Sequence, residues 1–280
     1  MPFAIIGFVL GIQYFKLHQL QFANTILNIN PSVEKLVLVI FCMITARSAA
    51  MAFNRYLDHK IDARNPRTAI REIPSGIIKP QHALMFTIIS SLLFIVACYC
   101  INMLCFFLSF IALFVILFYS YTKRFTALCH LVLGLGLSLA PIGAFLAVTG
   151  IFYILPLLFS VLVICWVSGF DIIYALQDEE FDKFHQLHSI PVLLGKKNAL
   201  KLSKLLHVLA TVLVIMIGLI GGFSFWYWIG AIVFIIMLIY QHSIVKPTDL
   251  SRVNIAFMTA NGMASIVFAI FVVIDVLRSI

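Results

Sequence analysis

The sequence predicts an all-α fold, an integral membrane bundle that crosses the bilayer about nine times. Three observations predict it. Of the 280 residues, 63% are hydrophobic and 11% charged, with a mean hydropathy of +1.10. That leaves too few polar groups to cover a water-soluble domain. Apolar runs recur at close to the roughly 20 residues a helix needs to cross the hydrocarbon core. Lys and Arg fall almost wholly into alternate loops.

The first span, 2–16, opens PFAIIGFVLGIQYF and is short for a crossing. It has neither the charged start nor the small-residue cleavage site of a signal peptide, so the start of the chain is expected to lie inside this span. The second, 34–57, ends in the polar segment FNRYLDHKID. The third and fourth, 81–101 and 102–120, are almost fused, with only Ile101 to Leu104 between them, which asks for a tight turn. The fifth is 127–149, and the sixth, 151–172, runs into DIIYALQDEEFD. Spans at 199–222, 225–245 and 254–277 complete the set. The whole chain, 1–280, reads as one domain of two similar halves, about 34–149 and 151–277, because an acid-rich segment closes the first span of each.

Loops after the even-numbered spans hold 15 of the 19 Lys and Arg residues. Lys16, Lys35 and Arg278 lie on the other side, and Arg47 lies within a span. This asymmetry marks the basic face as cytoplasmic and places the protein in the cell's inner membrane. The formal charge of +8 is thus a topology signal. No soluble basic face exists for nucleic acid, and no obligatory protein partner is expected. The six cysteines sit in apolar stretches without C-x-x-C pairing and read as packing residues.

Ionisable groups near membrane depth point to function. Arg47, Asn54, Asp58 and Asp62 have helical spacings of 0, 7, 11 and 15, and Asp171, Tyr174, Asp178 and Asp182 spacings of 0, 3, 7 and 11. Each set lines one helical face. Four crossings separate the two sets, so both emerge on the cytoplasmic side and are positioned to converge on a common cavity. Seven of the 11 acids lie in these segments. Clustered carboxylates need a cation between them, and hard oxygen ligands suit Mg²⁺ completed by substrate phosphates. Glu179 and Glu180, off the stripe, read as ordinary solvated charges. Lys123, Arg67 and Arg71 are candidates to neutralise a diphosphate; the bland alternative is that they face lipid headgroups. Arg47 needs an anion, either a site aspartate or a substrate carboxylate. His59 and His188 read as interfacial polar residues.

These residues resemble the UbiA superfamily of intramembrane prenyltransferases. NRYLDHKID and DIIYALQDEEFD resemble its two aspartate-rich motifs, and YSYTKR resembles its Tyr/Lys-Arg segment. NPRTAIREIPSG and LHSIPVLLGKK resemble the following loops in the 4-hydroxybenzoate polyprenyltransferase branch. The resemblance implies nine transmembrane helices around a central cavity open to lipid, and magnesium-dependent transfer of an isoprenoid from its diphosphate to an acceptor. Matched residue by residue, it places Asn54, Asp58 and Asp62 in the first motif and Asp171, Asp178 and Asp182 in the second, beside Tyr174, with Lys123 on the diphosphate. The family's first motif commonly reads N-D-x-x-D-x-x-x-D, whereas Arg55 takes the second position here, so that acid is expected to be dispensable. Family members also commonly begin with a basic amphipathic segment.

The expected reaction joins a polyprenyl chain to an aromatic acid ortho to a hydroxyl, in respiratory quinone biosynthesis. Asp171 is expected nearest the reacting ring, and Tyr174 either shields the allylic cation or packs. Arg47 fits an acceptor carboxylate, with 4-hydroxybenzoate first and a dihydroxynaphthoate of a menaquinone route as the alternative. A secondary transporter using the aspartates is the rival of another class, disfavoured because transporter sites lie near the midplane.

Overall fold

The computed structural model describes residues 2–18 and 33–279. Among these residues, long helices follow one another as α1 (Pro2–Leu17), α2 (Val33–Asp62), α3 (Pro80–Ile101), α4 (Met103–Thr122), α5 (Cys129–Thr149) and α6 (Ile154–Ala175). A short helix α7 (Glu179–Phe184) precedes α8 (Ile190–Ile220), α9 (Phe225–Ile244) and α10 (Asn261–Arg278). Eight segments are long and apolar enough to cross a membrane; α1 is shorter. At a rise of 1.5 Å per residue its 16 residues span about 24 Å.

Local chemistry explains where the helices stop. One residue, Asn102, separates α3 from α4: its Oδ1 accepts from the Cys105 N–H at 2.8 Å, capping α4, and its Nδ2 donates to Leu146 O at 3.0 Å. The tight turn expected at Ile101 to Leu104 is therefore a single extended residue. Helix α8 begins nine residues before the expected 199. Ser189 caps it, accepting from Val192 N–H, and Pro191 sits in its first turn, where a missing N–H costs nothing. Lys196 and Lys197 had broken the apolar pattern there. Gly195 adopts φ 72°, ψ 159° and kinks this helix, a conformation that favours glycine.

Lipid tails are as apolar as leucine, so helices in a bilayer associate through close packing and internal hydrogen bonds. Helix α1 packs against α5 and α10. At its contact with α5 a Cβ on Gly7 would stand 2.0 Å from the Pro141 carbonyl oxygen, so only glycine allows this approach. Phe159, Phe234, Phe268 and Tyr227 form a fully buried aromatic centre among α6, α9 and α10. Tyr227 donates its hydroxyl proton to Val214 O at 2.6 Å.

Candidate active site

The polar ends of α2 and α6 meet in one cavity of roughly 210 Å³. From α2 it takes Asn54, Asp58 and Asp62; from α6 and the turn and helix that follow it takes Asp171, Tyr174, Asp178 and Asp182. Arg67, Arg71, Lys123 and Arg124 complete the charged lining. The two aspartate rows thus face each other at one end of the bundle.

The first row is a continuous helix. Asn54 Nδ2 donates to Asp58 Oδ2 one turn on, at 3.1 Å. The loop after α2 folds back on it: Thr68 Oγ1 donates to Asp62 O at 3.1 Å, and Arg71 places one nitrogen 2.9 and 2.8 Å from the two Asp62 oxygens. The second row departs from the single stripe expected of it. After Ala175 the chain tightens into a 3₁₀ turn, Leu176–Asp178, before α7. Tighter winding advances each residue further around the axis and swings Asp178 and Asp182 relative to Asp171. All three still line the cavity.

Each of four aspartates faces a cation. Arg124 lies 2.9 Å from Asp58 and Arg71 2.8 Å from Asp62. Arg67 grips Asp178 through Nε at 3.0 Å and a terminal nitrogen at 2.5 Å, while its other nitrogen donates to the Tyr174 hydroxyl at 2.7 Å. Asn65 adds a donor to Asp178 at 3.2 Å. Lys123 Nζ lies 2.8 Å from Asp182. Burial works against the charge on Lys123, but the adjacent Asp182 carboxylate outweighs it and lifts the ammonium above its ordinary range. Arg67 is likewise lifted, its burial offset by Asp178 and Tyr174. Both side chains therefore carry their charge throughout the neutral range.

Asp171 is different. Its Oδ2 lies 2.6 Å from His130 Nδ1. His130, Asn65, Arg124 and Tyr119 line the cavity without having been singled out from the sequence. Arg124 was visible beside Lys123 in YSYTKR, and His130 as a lone polar residue in the apolar run LCHLVLG, a signal worth following. Arg47 is exposed, does not line the cavity and has no hydrogen-bond or ion-pair partner among the described residues. Glu179 and Glu180 instead face Lys196 at 3.7 and 3.5 Å.

The donor set fits a hard divalent cation. Asp58, Asp62, Asp178, Asp182 and the Asn54 amide offer oxygen ligands, the chemistry Mg²⁺ selects. The Asp182 side chain is fully buried, with the Lys123 ammonium 2.8 Å from Oδ1. Among the described residues no three acids, histidines or cysteines stand together as a preformed metal site. An open site completed by water and phosphate oxygens needs none.

Known proteins resemble this chain over most of its length. The UbiA prenyltransferase family profile matches residues 27–266. A curated relative, 4-hydroxybenzoate octaprenyltransferase of Francisella tularensis subsp. mediasiatica (strain FSC147), is 27% identical over 243 residues, covering 87% of this chain and 85% of the relative. The fold matches a UbiA homologue from Aeropyrum pernix K1 with a TM-score of 0.81 at 24% identity, over 99% of this chain and 97% of that one. It also matches a UbiA homologue from Archaeoglobus fulgidus bound to GPP and Mg²⁺, with a TM-score of 0.71 at 18% identity, over 99% and 95%. With the family profile spanning most of its length and the two aspartate rows facing each other across one cavity, the chain belongs to the UbiA prenyltransferase family.

Proposed function

We propose that the protein transfers a polyprenyl chain from its diphosphate to an aromatic acid, with 4-hydroxybenzoate as acceptor. The observation that carries the reading is the single cavity in which two aspartate rows meet four cationic side chains. The relative named 4-hydroxybenzoate octaprenyltransferase supports this acceptor. Lys and Arg, concentrated in the cavity-side loops, support a cytoplasmic-membrane location with the site facing the cytoplasm.

Asp58, Asp62 and Asn54 of the first row and Asp178 and Asp182 of the second would hold a divalent cation; a homologue of the same fold from Archaeoglobus fulgidus is bound to GPP and Mg²⁺. When bound, such a cation supplies Lewis-acid charge to the diphosphate oxygens. Arg67, Arg71 and Lys123 neutralise the outer oxygens. The allylic carbon–oxygen bond breaks, and its electron pair leaves with the diphosphate. The ring carbon ortho to the hydroxyl bonds the allylic carbon, then loses its proton to Asp171. Tyr174 packs rather than shields the cation, its ring stacked on Phe257 at 4.1 Å between centroids and carrying the Arg67 guanidinium at 5.1 Å.

The test supplies membranes containing the full chain with labelled polyprenyl diphosphate, Mg²⁺ and a panel of aromatic acids. Prenylated 4-hydroxybenzoate is expected, and Asp58→Ala or Asp178→Ala is expected to lower its formation about 100-fold or more, the scale seen when charge stabilisation at a reacting centre is removed. Undiminished product in both variants refutes the reading. A product formed only from a dihydroxynaphthoate moves it to the menaquinone route.

A further inference from the structure

The five cavity aspartates are not held alike. Four face cations on long, flexible stems. Asp171 faces an imidazole, and both nitrogens of that ring are engaged. The backbone N–H of Ile190, the first residue of α8, donates to His130 Nε2 at 3.3 Å. Nε2 therefore presents its lone pair, and the proton sits on Nδ1, which donates to Asp171. The His130 side chain is 4% exposed. Its backbone carbonyl accepts from Ser168 Oγ at 3.1 Å, one turn before Asp171 on α6. Helices α5, α6 and α8 thus enclose the ring, with one hydrogen bond at each of its nitrogens.

Charge separates the two kinds of partner. A guanidinium or ammonium is attracted to an arriving diphosphate and is free to exchange its carboxylate for phosphate oxygens. A neutral imidazole feels no such pull. Nor does His130 pass a proton onward, since its far nitrogen already accepts from an N–H. It donates, and it stays.

We infer that His130 is a positioning residue for prenyl transfer: it pins Asp171 Oδ2 while the rest of the site rearranges, and so keeps Oδ1 available to the acceptor ring. Among the described residues Oδ1 has no protein hydrogen-bond partner. The proton balance is simple. The C–H bond at the prenylated ring carbon breaks, its electron pair restores the aromatic ring, and the proton goes to Oδ1. The inference rests on the acceptor-side role proposed for Asp171.

The test uses the full chain in lipid nanodiscs, with His130→Leu, His130→Asn and Asp171→Asn. Asparagine keeps an amide donor near the Nδ1 position, and leucine fills similar space without one. His130→Leu is expected to lower kcat about 10–100-fold, the usual cost of removing a donor that orients a functional side chain. Polyprenyl diphosphate affinity, measured calorimetrically, is expected to stay within about twofold, because the interactions that bind the donor remain intact. His130→Asn is expected to recover most of the rate. The His130→Leu/Asp171→Asn double variant is expected to be no slower than Asp171→Asn alone, as for residues acting as a unit. An asparagine variant no better than leucine, additive losses, or donor affinity falling in step with kcat each overturn the inference. A slow Asp171→Asn beside a normal His130→Leu sinks the inference alone. A fully active Asp171→Asn sinks the acceptor-side reading, and the inference with it. Melting curves check folding, and His130→Ala serves as the donor-free variant if leucine does not fold.

Discussion

At the scale of single residues, Arg67 does three things at once. It forks onto Asp178, donates to the Tyr174 hydroxyl, and lies 5.1 Å from the centroid of the Tyr174 ring. Lysine keeps the charge but has no planar fork. Arg67→Lys is therefore expected to raise the KM for polyprenyl diphosphate about tenfold, the equivalent of one charge-assisted hydrogen bond. Steady-state kinetics should show the acceptor KM little changed. The aspartates were legible because four-residue spacing needs only the helix to be known. His130 was not: 41 positions separate it from Asp171, and no local pattern shows which side chains meet across two helices. The pairing of each cation with its own aspartate was hidden for the same reason.

Helices and turns were legible to the extent that their signals are local. The apolar runs marked the long helices, and Asn102 sits inside the turn that the near-fusion of two spans demanded. The 3₁₀ turn at Leu176–Asp178 was not visible, since a run of acids and apolar residues is compatible with either winding. The early start of α8 had a signal in Ser189 and Pro191, obscured by the lysines that follow. Asn102 also yields a stability prediction. Asn102→Ala removes a cap from α4 and a donor from Leu146 O, two losses of about 1 kcal/mol each. Thermal unfolding in a single detergent should show Tm lower by several degrees, with donor affinity unchanged, because Asn102 does not line the cavity.

For the molecule as a whole, counting crossings was enough to expect both acidic segments at one end, and the shared cavity shows the two rows together there. The count said nothing about the size of the space between them, and size has a consequence for the donor. Roughly 210 Å³ lies below the roughly 300 Å³ at which pockets begin to engulf whole drug-sized ligands. It suits a head group with its metal and an aromatic ring, not forty or so carbons of isoprenoid. If the rest of the tail stays in lipid outside this space, only the first few isoprene units are gauged. Prenyl diphosphates from about three to eight units should then give kcat/KM values within about tenfold of one another once each is measured against its concentration in the membrane, a spread of about 1.4 kcal/mol. A sharp optimum at one length would show that the bundle gauges the tail after all.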